Sequence, residues 1–144
     1  MDANVVVGEL LRRRGQAKFE ALDAELFIAP RAFGEATYEL ERRLEPLARR
    51  AGLSDAQKRA WLLTALNLLR RRVTAIPEET FAPFESHARL RIPQDPDDWP
   101  TVALALALNA DVWTEDGDFF GCGLGVWRTD VLYAHLDDLN SSAP

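Results

Sequence analysis

Short apolar runs of strand length alternate along this chain with longer segments of helical periodicity. The runs cover residues 3–7, 25–29, 73–76, 110–114 and 123–127. Buried parallel strands joined by helices produce this pattern, because the crossover helices cover the faces of the sheet. We therefore predict an α/β fold in three layers, with a central, mainly parallel sheet of four or five strands and helices on both faces. Functional groups in such sheets gather at the carboxyl ends of the strands.

The segments between the runs carry specific helix signals. Ser54 is a good N-cap for the segment that follows it, with Gln57 three residues later. Pro46 predicts a kink or break, and Gly15 predicts an interruption or restart. The segment 99–108 is apolar around nearly its whole circumference, so we expect it to be buried. The predicted helices cover residues 8–22, 31–50, 55–72, 77–90, 99–108 and 129–139.

The chain has the length of one domain. At 144 residues it can bury a substantial core, and we predict a single domain over residues 2–139 with a disordered tail at 140–144. No apolar run approaches the ~20 residues that span a bilayer, and no signal-peptide pattern precedes the first run. Cys122 has no second cysteine with which to pair. We therefore expect a cytoplasmic protein without membrane contact.

The charges of the chain are unevenly distributed. A net charge of −6 argues mildly against a nucleic-acid partner, since phosphates attract basic surfaces. Fifteen arginines stand against two lysines, however, and many are clustered, at 12–14, 42–43, 49–50 and 70–72. Such clusters are commonly solvated helix faces, but the planar guanidinium also suits phosphate. The pattern fits a protein whose acids hold cations and whose arginines hold a polyanion.

Acidic residues fall where the predicted strands end. Asp2 directly precedes the first apolar run and is expected to belong to the same strand, where an unpaired carboxylate would be costly. Asp116 follows the fourth run, Asp98 opens the buried helix that leads into that run, and Glu35 lies early in the helix after the second run. The carboxyl ends of parallel strands share one edge of a sheet, so we expect these four carboxylates to converge.

Converging carboxylates repel one another, and a hard divalent cation relieves that repulsion. Mg²⁺ and Mn²⁺ prefer oxygen ligands and keep waters that can act as nucleophiles. The potential zinc ligands Cys122, His87 and His135 lack the spacing of a zinc motif. The sequence therefore predicts a Mg²⁺ or Mn²⁺ site.

Each acid also has an ordinary structural interpretation. Asp2 could be a terminal acid, Glu35 a solvent-facing helix residue, Asp98 an N-cap and Asp116 a turn residue. Four further residues could assist the site: Glu39 as a substitute or partner for Glu35, Asp118 as an extra acid or a turn residue, Asn4 as a hydrogen-bond partner of a carboxylate, and Thr114 as a hydroxyl that orients an acid.

The acidic segments together resemble a known family. The chain reads Asp-Ala-Asn-Val at 2–5, Asp-Pro-Asp-Asp-Trp-Pro at 95–100 and Thr-Glu-Asp-Gly-Asp-Phe at 114–119. With an acid in the helix after the second run, this arrangement resembles the PIN-domain ribonucleases over about residues 2–135. Among them it is most similar to the VapC-like toxins. The block from 95 to 119 is the most specific part of the resemblance.

The resemblance implies a metal-dependent endoribonuclease specific for single-stranded RNA. It also implies the toxin of a type II toxin–antitoxin pair, a small antitoxin protein as partner, and a homodimer. By position, it implies catalytic roles for Asp2, Glu35, Asp98 and Asp116. The Mg²⁺ or Mn²⁺ ion would be held by Asp2, Asp98, Asp116 and Asp118.

Two other functions are compatible with the residues. PIN chains usually carry several apolar residues before the first aspartate, whereas Met1 alone precedes Asp2 here. A loosely held Asp2 would favour a catalytically inactive scaffold that binds RNA or a protein partner. A metal-dependent phosphohydrolase has less support, because the paired Asp-x-Asp of one common class does not follow the first run.

Overall fold

The computed structural model describes residues 1–142, without the side chains of residues 140 and 142. The helices in this part of the chain are α1 (Ala3–Leu10), α2 (Arg13–Ala21), α3 (Pro30–Arg50), α4 (Asp55–Arg72), α5 (Glu78–Phe81), α6 (Glu85–Arg91), α7 (Trp99–Leu108) and α8 (Thr129–Ser142). The strands are β1 (Leu26–Ile28), β2 (Val73–Ala75), β3 (Val112–Trp113) and β4 (Val126–Trp127). None of these helices is both long and apolar enough to cross a bilayer.

The four strands form two parallel pairs. β1 pairs with β2, placing Leu26 opposite Val73, and β3 pairs with β4, placing Val112 opposite Val126. The predicted strands at 25–29, 73–76, 110–114 and 123–127 are confirmed, although each is shorter than expected. The α/β class is confirmed, whereas the central sheet of four or five strands is not, because the described strands belong to two separate pairs.

Residues 1 and 2 lie between the two strand pairs. The Met1 nitrogen donates a hydrogen bond to the carbonyl oxygen of Phe27 in β1 at 2.8 Å. The Asp2 N–H donates to the carbonyl oxygen of Trp113 in β3 at 3.0 Å. These bonds connect the pairs through two residues of extended backbone. Asp2 consequently lies beside the carboxyl end of β3 and directly before α1.

The prediction of a strand at 3–7 is wrong, because these residues begin helix α1. Three consecutive valines favour a strand by propensity. Asp2, however, caps the helix by accepting a hydrogen bond from the Asn4 N–H at 3.3 Å. The helix also buries all three valines, and the free energy of this burial outweighs their weak helix propensity.

Two of the predicted helix breaks differ from the structure. Pro46 lies inside α3, which continues unbroken to Arg50. Packing of α3 against α1 and α4 compensates for the hydrogen bond that proline removes. The interruption expected near Gly15 comes earlier, at residues 11–12, between α1 and α2. Pro83 divides the predicted helix 77–90 into α5, a 3₁₀ turn and α6.

The closing helix α8 runs to Ser142, beyond the predicted end at 139. The Ser141 hydroxyl donates a hydrogen bond to the carbonyl oxygen of Asp137 at 2.8 Å, as serine commonly does within helices. The helix thus includes the first residues of the segment 140–144 that was predicted as a disordered tail. Residues 143 and 144 lie outside the described residues, and the domain bounds 2–139 stay a prediction.

The core consists of two apolar clusters. The first surrounds α1 and includes Phe19 and Trp113. The second surrounds α7 and includes Phe81 and Val102, which agrees with the prediction of a buried helix at 99–108. Because α7 leads directly into β3, we infer that its amino end, at Asp98, lies at the edge where β3 finishes.

Gly15 allows α1 and α2 to pack closely. A Cβ at residue 15 would lie 2.2 Å from the carbonyl oxygen of Glu9, so the two helices would have to separate. We expect Gly15→Ala to lower the free energy of unfolding by about 1–3 kcal/mol in urea denaturation. Gly8→Ala is the matched control, because a Cβ there meets nothing within 4 Å. It should raise that free energy by up to about 1 kcal/mol, and equal effects of the two substitutions would contradict the packing argument.

Candidate metal centre

An open cleft of about 340 Å³ lies where β3 ends and where α1 and α7 begin. Four separate segments form its walls: the chain around α1, the first half of α3, the start of α7 and the turn after β3. The lining residues are Asp2, Ala3, Asn4, Val7, Glu35, Tyr38, Glu39, Arg42, Arg43, Asp98 and Asp116. All four carboxylates that were expected to converge therefore line a single cleft.

The Thr114 hydroxyl connects two of these acids. It donates a hydrogen bond to Asp2 Oδ2 at 3.0 Å and accepts one from the Asp116 N–H at 3.0 Å. Thr114 is completely buried, and both bonds are partly buried. The carboxylate of Asp2 and the backbone of Asp116 are consequently held in a fixed relation to each other.

Asp98 experiences the combined field of the other acids. It occupies the N-cap position of α7, but its side chain makes no capping hydrogen bond. Burial, followed by the negative charges of Asp95, Asp2, Asp116 and Glu35 in that order of effect, raises the pKa of Asp98 to about 6. A carboxylate without a hydrogen bond, surrounded by like charges, favours a cation as its partner.

Glu35 and Glu39 both line the cleft, but their surroundings differ. Glu39 accepts hydrogen bonds from Arg42 Nε and Nη2 at 3.0 and 2.7 Å and from Arg43 Nε at 2.8 Å. The hydrogen bonds from Arg42 and then Arg43 lower the pKa of Glu39 to about 2. Glu35 has only a loose pair with Arg31, at 3.6 Å, and its side chain is exposed. Glu39 is thus already neutralised, whereas Glu35 is available to a new partner.

The predicted assisting residues occupy different positions. Asn4 lines the cleft, and its N–H donates the capping hydrogen bond to the Asp2 side chain. Thr114 lies beneath the cleft rather than in its wall. Asp118 is exposed, and its N–H donates to Asp116 Oδ1 at 2.9 Å, which is the turn geometry of an aspartate at the start of a 3₁₀ turn. Its carboxylate is not among the lining groups.

The chemistry of the donor set fits a hard divalent cation. The acidic donors of the cleft are all carboxylate oxygens, which Mg²⁺ and Mn²⁺ prefer. Within residues 1–142, however, no three His, Cys, Asp or Glu side chains are grouped closely enough to hold an ion as they stand. Unneutralised carboxylates repel one another, and several of these are hydrogen-bonded to protein groups instead. The types of residue fit the ion, but the carboxylates would have to move closer together to surround it.

Tyr38 is an aromatic residue of the cleft that was not predicted from the sequence. Tyr38 lines the cleft on α3, one turn from Glu35 and Arg42, and its residue surface is 65% exposed. The arginine pair at 42–43 was recognised as a possible phosphate contact, but nothing connected it with the acids. The spacing of Glu35, Tyr38 and Arg42 along one helix face is the signal that would have found this group.

The hydroxyl of Thr114 should stabilise this edge of the fold. Thr114→Val keeps the shape but removes both hydrogen bonds, leaving the Asp116 N–H without its partner. We expect the free energy of unfolding, from urea denaturation, to fall by about 1–3 kcal/mol. Thr114→Ser, which retains the hydroxyl, is the control. A valine variant as stable as the serine variant would show that the hydroxyl contributes nothing.

The raised pKa of Asp98 predicts a pH-dependent penalty in the metal-free protein. The folded-state pKa of about 6 exceeds the ordinary aspartate pKa of 3.8, so ionisation destabilises the fold progressively as pH rises between these values. Asp98→Asn imitates the protonated form. With EDTA at pH 7 it should raise the free energy of unfolding by about 1–2 kcal/mol, because water screens this partly exposed group.

The gain from Asp98→Asn should shrink towards pH 4, where the folded wild-type protein also carries a neutral Asp98. Thermal and urea unfolding at both pH values measure the difference. A substitution that destabilises at pH 7, or that acts equally at both pH values, would contradict the electrostatic account.

One comparison with known proteins identifies the family of this chain. A protein-family model described as PIN domain matches residues 1–137. No curated protein and no solved structure matches the chain. Since the family match spans nearly the whole sequence, the resemblance seen in the acidic segments is confirmed at the level of the family. The chain belongs to the PIN domain family.

Proposed function

We propose that this protein is a metal-dependent endoribonuclease that cleaves single-stranded RNA. PIN domains are generally nucleases, and such nucleases typically use divalent metals. One observation carries the proposal: four carboxylates from four segments line one cleft, and three of them raise the pKa of the fourth, Asp98. Perturbed groups of this kind, gathered in a cleft, are characteristic of functional sites.

The Mg²⁺ or Mn²⁺ ion would be held by Asp2, Asp98 and Asp116, and Glu35 would complete the set of carboxylates. Asp118 would adjust the site from a position outside the cleft wall. The bound ion supplies an activated water and neutralises charge on the phosphodiester. Thr114 keeps Asp2 and the Asp116 backbone in place before substrate arrives, which lowers the cost of assembling the site.

We also propose a cellular role as the toxin of a type II toxin–antitoxin pair. This role would make the protein a cytoplasmic homodimer that binds a small antitoxin protein. Its support is the similarity of segments 2–5, 95–100 and 114–119 to VapC-like toxins. A short reading frame directly upstream of the gene would add independent support.

The proposed activity is directly testable on the purified protein. With Mg²⁺ or Mn²⁺ it should cut single-stranded RNA, and excess EDTA should stop the reaction. Asp98→Asn and Asp116→Asn should each lower kcat/KM at least about a hundredfold, because each removes a ligand that supplies several kcal/mol of transition-state stabilisation. Cleavage of a labelled oligonucleotide on a denaturing gel measures the rate.

Asp97→Asn is the matched control for that experiment. Asp97 is adjacent to Asp98, but its side chain is 82% exposed and pairs loosely with Arg89 at 3.7 Å. This variant should cleave at the wild-type rate. Cleavage that survives both Asp98→Asn and Asp116→Asn, or that continues in EDTA, would rule out the proposed chemistry.

The alternative is a catalytically inactive scaffold that binds RNA or a protein partner. The specific observation in its favour is that the described acids form no ready group of three ligands. Calorimetric titration with Mn²⁺ separates the two functions. Binding that Asp116→Asn abolishes favours the nuclease, whereas no binding at millimolar Mn²⁺ favours the scaffold.

A further inference from the structure

Tyr38 is an exposed aromatic residue beside the acidic cleft. Its residue surface is 65% exposed although it lines the cleft, so its ring contributes little to the core. Buried Leu40 and Leu44 supply the packing of this part of α3 instead. A large aromatic ring facing solvent next to a candidate cation site offers a flat surface on which a planar ligand can stack.

The same helix face carries two arginines with unused hydrogen-bond donors. Arg42 binds Glu39 through Nε and Nη2, and its Nη1 takes no part in this contact. Arg43 binds Glu39 through Nε, which leaves both of its Nη groups. Both side chains are about half exposed, at 59% and 45%. Glu39 therefore fixes two guanidinium groups in place while neutralising only one of their charges.

We infer that this face of α3 is a nucleotide subsite for single-stranded RNA, in which Tyr38 stacks on a base and Arg42 and Arg43 hold the adjoining phosphate. The inference rests on the proposed function and names the part of the cleft that receives the substrate. Glu39 is then a positioning residue for the two arginines and not a metal ligand.

The arrangement explains why the substrate should be single-stranded. A base inside a duplex is stacked on both faces and cannot lie against a protein ring, whereas an unpaired base can be turned outwards. Aromatic platforms combined with a positive backbone contact are the usual means of holding single strands, and stacking tolerates any base. The subsite therefore favours single strands over duplexes and distinguishes little between base sequences.

Binding of a fluorescent RNA oligonucleotide, followed by anisotropy, tests the subsite. The measurement uses Mg²⁺ and the Asp116→Asn background, so that cleavage does not interfere. Adding Tyr38→Ala should raise Kd about 5- to 150-fold, whereas Tyr38→Phe, which keeps the ring, should leave it nearly unchanged. Leu63→Ala, which trims another exposed apolar residue at 59% exposure, is the surface control and should have no effect.

Two substrate variants and one charge variant sharpen the test. An oligonucleotide with one abasic position should bind more weakly when the missing base is the one that stacks, and this loss should disappear in the Tyr38→Ala variant. Arg43→Gln should reduce the slope of log Kd against log salt by about 0.7, the contribution of one phosphate contact in a single strand. A duplex of the same sequence should bind without dependence on Tyr38.

The inference and the proposed function fail in different ways. Unchanged Kd in Tyr38→Ala, an equal loss in Leu63→Ala, or no RNA binding by the parent protein would overturn the subsite. Tyr38-dependent binding by a wild-type protein that cuts no RNA with any divalent metal would overturn the nuclease and support the subsite. Active cleavage with Tyr38-independent binding would overturn the subsite alone.

Discussion

The backbone of Met1 and Asp2 is the connection on which the rest of the structure depends. Its two N–H groups bond to β1 and β3, and so join strand pairs that belong to separate sheets. The same residues start α1 and place a carboxylate in the cleft. These two residues therefore connect the sheets, cap α1 and supply a candidate metal ligand, and a displacement of Asp2 would disturb all three.

The cleft contains both repelling acids and arginines that do not neutralise them. Burial, and after it repulsion from the neighbouring acids, raises the pKa of Asp98. Arg42 and Arg43 do not relieve this repulsion, because both are bound to Glu39. The repelling carboxylates thus attract a cation while Arg42 and Arg43 retain surplus positive charge. This combination suits a polyanionic ligand that binds together with a metal ion.

Much of this could be predicted from the sequence, because strong local signals agreed with the tertiary structure. The capping box of Ser54 and Gln57 forms as expected, and the apolar segment 99–108 is a buried helix. The segment 3–7 was misassigned because valine propensity and the aspartate cap gave opposite indications, and only burial decided between them. The convergence of Asp2, Glu35, Asp98 and Asp116 was expected from strand ends and is present. Only Asp116 follows a strand, however, whereas Asp2 and Asp98 precede helices and Glu35 lies within α3. The availability of Glu35 over Glu39 could not be predicted, since it depends on which side chains the arginines contact.

Some residues of the cleft are held by hydrogen bonds, whereas others are held loosely. Asp2 is braced by the buried Thr114, which also holds the backbone of Asp116. Asp98 makes no capping bond, and Glu35 has one loose ion pair. An ion bound here would meet firm ligands on one side and adaptable ones on the other. Such a coordination sphere can adjust its radius, so it would discriminate weakly between Mg²⁺ and the larger Mn²⁺, and cellular metal supply would decide which of them it carries.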